Sequence, residues 1–196
     1  MRQLLLATRN PHKTQEFSAI LGRDYVVRDL TAETDLPAVE ETGATFAENA
    51  VLKATEISRR FPGLIVADDS GLEADALNGA PGVFSARYAG PEATDDENVR
   101  RLLQELSSHG TRPPWTARFR CVLALVRGGE VLEMFEGAVE GRIVASPRGS
   151  MGFGYDPVFQ PVGFERTFGE MSADEKNRIS HRAEAIRLLR AALASD

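Results

Sequence analysis

The stretch that most constrains this chain is LIVADDSG at residues 64–71. Its four consecutive apolar residues predict a short buried strand, and two acids follow that strand directly. Open α/β sheets usually place their chemistry at the carboxyl ends of strands. Because neighbouring strand residues point to opposite faces, we expect Asp68 and Asp69 to have different roles, one holding a metal or a water and the other bracing a loop. Asp-Asp-Ser-Gly is equally typical of a turn, so the sequence leaves that alternative open.

Length and composition indicate an ordinary globular protein. A chain of 196 residues forms one domain, or one domain with two lobes. The net charge of −6 argues against nucleic-acid binding through a basic face. A single cysteine, Cys121, excludes a disulfide within the chain and favours a reducing cytoplasm. The apolar run at residues 4–7 is too short for a signal-peptide core or a membrane span, so we expect no membrane partner.

Lysine is rare in this chain. Of 23 basic residues, only Lys13, Lys53 and Lys176 are lysines, and the rest are arginines. A chain so rich in arginine is expected to keep lysine where a compact ammonium group is needed. The alternative is that three lysines fall at these positions by chance.

The N-terminal segment predicts an anion site. Residues 2–8 have the apolar pattern of a strand, Asn10 is a strong helix N-cap, and Pro11 suits the first helical position. Such a unit aims free backbone N–H groups at whatever lies above the strand. Lys13 falls in the first turn, where a cation opposes the helix dipole and a bound anion would offset it. A plain strand-to-helix connection with a surface lysine is the alternative.

The segment before the acid pair is also acidic. Glu41 lies in an irregular stretch that ends at a predicted helix over residues 46–60, and Lys53 lies within that helix. Acids close to Asp68 and Asp69 would suit a hard cation bound by oxygen. An acidic loop can also be merely solvated, so Glu41 alone does not decide between the two.

The remaining pattern favours an α/β fold with a mixed sheet rather than a uniform series of βαβ units. A short helix is expected at residues 72–77. Residues 116–127 and 130–144 predict a long antiparallel hairpin around Gly-Gly, and residues 180–193 predict a C-terminal helix.

Common nucleotide and hydrolase motifs are absent. Gly149 and Gly154 have the spacing of a P-loop, but Tyr155 and Asp156 replace its Lys-Ser/Thr pair. The chain has no G-x-G-x-x-G, and Ser70 does not lie in a G-x-S-x-G elbow. What remains is lysines, carboxylates and an aromatic residue on a glycine loop, which suits phosphoryl chemistry on a nucleotide with a stacked base.

Five ordered segments carry a family resemblance: LLLATRNPHKTQE, ETGATFAENAVLKA, VADDSGLEADALNGAPGVFSARYAG, GFGYDPVF and EKNRISHRAEA. With them the sequence resembles the inosine/xanthosine triphosphate pyrophosphatase family, which hydrolyses non-standard purine nucleoside triphosphates such as ITP, dITP and XTP to the monophosphate and pyrophosphate. The resemblance implies one domain over residues 1–196, with an elongated mixed β-sheet flanked by helices and two lobes with the active-site cleft between them. It also implies Mg²⁺ as cofactor, a homodimer and a cytoplasmic location.

The resemblance also implies individual roles. Glu41 and Asp69 resemble the magnesium ligands, and Asp69 also resembles the proton acceptor. The implied substrate contacts are Thr8, Arg9, Asn10, Pro11, His12, Lys13, Lys53, Ser70, Phe153, Gly154, Tyr155, Asp156, Lys176, His181 and Arg182.

Base selectivity is expected to depend on donors near the purine. A donor aimed at position 6 accepts the oxygen of hypoxanthine and faces the amino group of adenine unfavourably. Arg182 is the first candidate and His181 the second, with Phe153 stacked on the ring. A donor at position 6 cannot reject GTP, which requires a separate feature that the sequence does not locate.

The first loop departs from the family pattern T-G-N-x-G-K. Arg9 and His12 stand where the two glycines are usual. Arg9 could obstruct a close approach of phosphate to bare backbone, or it could add a cation for the triphosphate. Both interpretations remain open at this point.

Two rival functions remain. A pyrophosphatase for ordinary or pyrimidine triphosphates would use the same machinery. A nucleotide-binding regulator without turnover would be expected to lose Asp69 or Lys53, and both are present.

Overall fold

The computed structural model of the chain describes residues 2–110 and 112–195. Within these residues the chain forms six β-strands and five α-helices. The strands are β1 (Arg2–Leu6), β2 (Tyr25–Arg28), β3 (Ile65–Ala74), β4 (Trp115–Arg127), β5 (Glu130–Ile143) and β6 (Phe159–Pro161). The helices are α1 (Pro11–Leu21), α2 (Phe46–Ser58), α3 (Asp95–Ser108), α4 (Ala173–Ile179) and α5 (His181–Ser195).

The strands form one sheet in the order β2-β1-β3-β4-β5-β6. β1 pairs in parallel with β2 and β3, whereas β5 and β6 pair antiparallel. Gly128 and Gly129, both with positive φ, join β4 to β5 as a tight hairpin, because only glycine adopts that backbone without strain. The predicted mixed α/β fold and the long hairpin are therefore confirmed.

The acid pair lies inside β3 and not at its end. β3 continues from Ile65 through the Asp-Asp-Ser-Gly sequence to Ala74, so the alternative of a turn is excluded, and the short helix expected at residues 72–77 is wrong for residues 72–74. Only Asp75–Leu77 form a short 3₁₀ turn. β3 is an interior strand with neighbours on both sides, and such pairing overrides local turn preference. The neighbour β1 ends at Leu6, opposite Val66, so the acids follow the carboxyl end of β1 instead.

Two compact units can be distinguished along the chain, and each has its own core. The first unit comprises Met1–Asp69, Cys121–Gly137 and Arg182–Asp196. Apolar side chains of α1, β1, β4 and α5 pack in its core, among them Leu6, Phe17 and Ile186.

The second unit comprises Ser70–Arg120 and Ala138–His181. Its core combines α3 residues with aromatic side chains, and Phe119, Phe159 and Phe168 lie with ring centroids 4.6–6.2 Å apart. Among the described residues, no helix is long and apolar enough to cross a membrane.

The helix ends follow from local sequence. Asn10 caps α1 with its side-chain oxygen, as predicted, and Thr45 caps α2 in the same way. α5 runs from His181 to Ser195, close to the predicted C-terminal helix, whereas α4 was not predicted. α4 has only seven residues, and a capping box from Ser172 to Glu175 sets its start.

Candidate active site

The loop between β1 and α1 has the predicted form of a helix start. The Asn10 side chain accepts from the backbone N–H groups of His12 (2.9 Å) and Lys13 (3.4 Å), and Asn10 itself donates to the Thr8 hydroxyl (3.1 Å). Pro11 occupies the first helical turn, where no donor is lost. The loop is thereby fixed by its own side chains.

Arg9 contacts the acidic loop after β2 in this structure. Its guanidinium donates to the backbone carbonyls of Glu33 (3.1 Å) and Leu36, so it ties down the acidic loop after β2. Asn78 is the one non-glycine residue with positive φ among the described residues, so Arg9 and His12 adopt ordinary backbone conformations. Replacing the usual glycines therefore introduces no backbone strain.

Asp68 is buried among donors. Its carboxylate pairs with the Lys13 ammonium and with Nε of Arg182 (2.8 Å), and the Cys121 thiol lies 3.2 Å from Oδ2. Burial raises the pKa of Asp68, but the positive charges of Arg182 and Lys13 lower it by more than burial raises it. The net pKa of Asp68 lies well below the ordinary carboxyl value. Asp68 is therefore a permanent anion at neutral pH.

Asp69 has a different set of partners, as the alternation of strand side chains predicts. Its Oδ1 accepts from Lys53 Nζ (2.8 Å), which also contacts Glu41 Oε1 (2.9 Å) and the backbone carbonyl of Asp68 (2.9 Å). Its Oδ2 is buried and has no hydrogen-bond partner among the described residues. A buried carboxylate oxygen without a donor is costly unless something else binds it.

The surroundings set the protonation of this pair. Burial raises the pKa of Asp69, Lys53 lowers it, Glu41 raises it again, and the net pKa is above the ordinary value. Burial lowers the pKa of Lys53, but Asp69 and Glu41 raise it, so the ammonium stays charged. The site thus combines a fixed cation with a carboxylate that is more basic than usual.

The position of Glu41 depends on Asn49, a fully buried residue of α2. The Asn49 side-chain oxygen accepts from the backbone N–H of Gly43 (2.8 Å). A Cβ on Gly43 would lie 2.7 Å from that same oxygen, so glycine is required for the loop to approach the helix. This contact fixes the loop that carries Glu41.

The second unit holds another predicted group. Lys176 is buried and its Nζ lies 2.5 Å from Asp156 Oδ2, which also accepts from the backbone N–H of Phe153 (2.9 Å). The same ammonium lies 4.7 Å from the centre of the Phe153 ring. Gly152 has φ +77°, and a Cβ there would lie 2.0 Å from Asp156 Oδ2. The Gly-aromatic loop is thus folded around one carboxylate.

Other predicted residues of the second unit are largely packed inside it. The Tyr155 hydroxyl is buried and donates to the backbone carbonyl of Ser85 (2.8 Å). The His181 ring is buried and stacks on Phe119, with centroids 4.8 Å apart. Ser70 is half-buried, and Gly154 donates its backbone N–H to Asp95 (2.6 Å).

The sequence model of the Ham1 family matches residues 4–192. The chain belongs to the Ham1 family. It is 48% identical over 194 residues to a dITP/XTP pyrophosphatase of Bacillus licheniformis, covering 98% of each chain. It is 46% identical over 190 residues to a dITP/XTP pyrophosphatase of Bacillus subtilis, covering 96% of each.

A solved structure of a HAM1 protein from Coxiella burnetii matches with a TM-score of 0.89 and 40% identity, covering 100% of both chains. The Ham1 protein of Staphylococcus aureus matches with a TM-score of 0.86 and 39% identity, covering 99% of both. The family resemblance that the five motifs indicated is therefore confirmed.

The residues of this Ham1-family chain fit a divalent cation. Glu41 and Asp69 supply carboxylate oxygens, the ligands that Mg²⁺ prefers, and they carry two negative charges against the one positive charge of Lys53. The buried Asp69 Oδ2 without a donor is the atom that a cation would satisfy. Among the described residues no three His, Cys, Asp or Glu side chains cluster for a metal. Mg²⁺ commonly uses one or two carboxylates with water and substrate phosphates.

Sequence reasoning missed three residues of the site. Glu16 Oε2 lies 2.5 Å from NH1 of Arg182, Cys121 contacts Asp68, and Asp95 holds the glycine loop. Glu16 lies three residues after Lys13 on α1, a spacing that brings side chains together. No spacing or motif in the sequence indicated a role for Cys121 or Asp95.

Proposed function

We propose that this protein is a Mg²⁺-dependent pyrophosphatase that hydrolyses dITP, ITP and XTP to the monophosphate and pyrophosphate. The observation that carries the proposal is Asp69, a buried carboxylate with one oxygen on Lys53 and the other without a donor among the described residues. The full-length relatives named above are dITP/XTP pyrophosphatases, which supports this substrate class.

Glu41 and Asp69 would hold Mg²⁺. When bound, the ion supplies charge neutralisation for the triphosphate and for the leaving pyrophosphate. The Lys53 ammonium, fixed between the two carboxylates, keeps them from repelling each other before substrate arrives.

Asp69 is also the proton acceptor in this proposal, as the family resemblance implies. The attacking water gives its proton to the Asp69 carboxylate while the water oxygen bonds to the α-phosphorus, and the bond from that phosphorus to the bridging oxygen breaks. Lys13 and Lys53 stabilise the negative charge that develops on the phosphates.

The remaining predicted residues divide by unit. In the first unit, the start of α1 would receive phosphate oxygens through the helix dipole and the Lys13 ammonium, because the backbone N–H groups of His12 and Lys13 are already bonded to Asn10. The residues of this loop are Thr8, Arg9, Asn10, Pro11, His12 and Lys13. In the second unit, the base and sugar would contact Ser70, Phe153, Gly154, Tyr155, Asp156, Lys176 and His181. Phe153 is the half-buried ring available for stacking.

We further propose that residues 1–196 act as one domain, in a homodimer and in the cytoplasm. The net charge of −6 and the single buried Cys121 support a partner set without nucleic acid and a reducing compartment.

The test is release of pyrophosphate from a substrate panel. Purified protein is assayed with dITP, ITP, XTP, GTP, ATP and UTP, each with Mg²⁺ and with a chelator, and Asp69→Asn serves as the inactive control. We expect pyrophosphate, not phosphate, from the first three nucleotides and only with Mg²⁺. Equal rates on ATP or UTP would favour the rival enzyme, and tight binding of ITP without turnover would favour a regulator.

A further inference from the structure

The glycine-rich loop that carries Phe153 is tied to the start of α3. The backbone N–H of Gly154 donates to Oδ2 of Asp95, the first residue of α3, over 2.6 Å. The preceding backbone N–H, that of Phe153, donates to Asp156 Oδ2 (2.9 Å). Two consecutive N–H groups of this loop are therefore each held by a carboxylate. One carboxylate belongs to the loop's own segment, and the other is 59 residues away along the chain.

Gly154 depends on such a contact more than Gly152 does. Gly152 is enclosed, because a Cβ there would lie 2.0 Å from Asp156 Oδ2. Gly154 has φ +60°, and a Cβ there would meet no atom of the described residues within 4 Å apart from its chain neighbours. Packing therefore does not hold its backbone, and glycine has the largest conformational freedom to lose on folding. The hydrogen bond to Asp95 limits that freedom.

The start of α3 does not depend on Asp95 alone. Thr94 and Glu97 form a capping box, in which the Glu97 carboxylate accepts from the backbone N–H of Thr94 (2.8 Å) and the Thr94 hydroxyl accepts from that of Glu97 (3.3 Å). Asp96 adds a negative charge in the first turn, where the helix dipole favours one. Because three other groups stabilise this helix start, the carboxylate of Asp95 is available for the loop.

The loop also has space beside it. Asp95, Asp96 and Phe153 line a cavity of about 280 Å³ within the second unit. Space of this size next to a glycine-rich loop permits a shift of the Phe153 ring once the contact between Asp95 and Gly154 is lost.

We propose that Asp95 is a positioning residue for the purine base: by holding Gly154, it fixes the Phe153 ring for stacking. Aromatic stacking depends on the distance and offset of the two rings, so a displaced ring stacks less well. This inference rests on the proposed function, because Phe153 is taken as the surface that stacks on the base.

The two products of the proposed reaction separate the base from the phosphates, since IMP carries a base and inorganic pyrophosphate carries none. Their dissociation constants are measured by calorimetry with Mg²⁺ for the unaltered protein, Asp95→Ala and Asp96→Ala. Asp96 is the matched control, because it lies next to Asp95 in the first turn of α3 and lines the same cavity. Only the contact to Gly154 distinguishes the two acids in this test, and Asp95 is the one that makes it.

We expect the dissociation constant for IMP to rise about three- to tenfold in Asp95→Ala, the effect of losing one hydrogen bond. The constant for pyrophosphate should not change, and Asp96→Ala should leave both constants unchanged. Asp95→Asn keeps an oxygen that can accept from Gly154, so it should bind IMP more tightly than Asp95→Ala. During hydrolysis of dITP, Asp95→Ala should raise KM by more than it lowers kcat.

Several results would contradict this role. Binding of IMP and pyrophosphate weakened by the same factor would make Asp95 a general structural residue. Unchanged IMP binding, with Tm lowered equally in Asp95→Ala and Asp96→Ala, would reduce Asp95 to a charge at the helix start. An Asp95→Asn variant that binds IMP as weakly as Asp95→Ala would assign the effect to charge instead of the hydrogen bond.

A second variant covers a failure to fold. If Asp95→Ala does not fold, Asp95→Ser is used, because serine suits a helix start but its side chain is shorter than that of aspartate. Unchanged IMP binding in that variant is equally contrary to the proposal.

The proposed function fails separately. It fails if the unaltered protein releases no pyrophosphate from dITP or XTP. An active enzyme whose Asp95→Ala variant keeps the unaltered KM for dITP would overturn the positioning role and leave the activity standing.

Discussion

Asp68 and Asp69 are neighbours on one strand, yet their surroundings differ in charge and in unsatisfied atoms. Asp68 is balanced: it has Lys13 and Arg182 around it, with the thiol of Cys121 as a further donor. Asp69 is unbalanced, because a single cation, Lys53, serves both it and Glu41.

The number of charges around each acid indicates different roles for Asp68 and Asp69. The group around Asp68 has two cations and two anions, so it is neutral, and its ion pairs are buried or partly buried. The group around Asp69 has one cation and two anions, and its buried Oδ2 has no donor among the described residues. The neutral network around Asp68 stabilises the fold. The excess negative charge around Asp69, with one carboxylate oxygen that accepts no hydrogen bond from the described residues, attracts a metal ion or a proton.

The largest effect on stability is expected for Asp68→Asn. The change leaves Lys13 and Arg182 short of an anion, and breaking a buried ion pair costs ~3–5 kcal/mol of unfolding free energy. Urea denaturation measures it. Asp69→Asn is the matched control on the same strand, and it should cost less because Lys53 keeps Glu41 and the Asp68 carbonyl. Equal losses of unfolding free energy for the two variants would show that Asp68 stabilises the fold no more than Asp69 does.

The largest effect on turnover is expected for Asp69→Asn. The amide cannot accept the proton and is a poorer metal ligand, so kcat for dITP should fall by roughly 10²-fold or more. Steady-state pyrophosphate release measures it. Asp68→Asn, assayed at a temperature where it is folded, should lose affinity for substrate more than kcat. A similar kcat for both variants would contradict the proposal that Asp69 is the proton acceptor.

A smaller loss of activity is expected for Lys53→Arg. The compact ammonium sits 2.8–2.9 Å from three oxygens, and the planar guanidinium cannot reproduce that geometry. Losing one hydrogen bond between charged groups costs ~1.5–3 kcal/mol, or roughly 10- to 100-fold in kcat/KM. Lys13→Arg is assayed beside it. Full activity in Lys53→Arg would show that any cation suffices between these carboxylates.

The smallest effect is expected for Cys121→Ala. The thiol is buried and is one of several donors to Asp68, so its loss should cost about 1 kcal/mol of stability and leave kcat unchanged. Cys121→Ser restores a donor and is the control in the same urea titration. A large drop in kcat for Cys121→Ala would show that the Cys121 thiol also contributes to turnover.

Much of the fold was predictable because local chemistry decides it. The N-caps Asn10 and Thr45 and the Gly128-Gly129 hairpin need only residues within a few positions of each other. The long β3 strand was not predictable, because its turn-forming Asp-Asp-Ser-Gly sequence is held straight by pairing with strands that are distant in sequence.

By itself, the sequence determined the family, the positions of the acids and lysines, and the opposite directions of Asp68 and Asp69, because strand alternation depends only on the backbone. The tertiary structure alone decided which acid is neutralised. Arg182 is 114 residues from Asp68 along the chain, and no local pattern brings the two together. Burial then strengthens each charge interaction, so the number of cations that reach each carboxylate distinguishes Asp68, which is neutralised, from Asp69, the acid that we propose to be reactive.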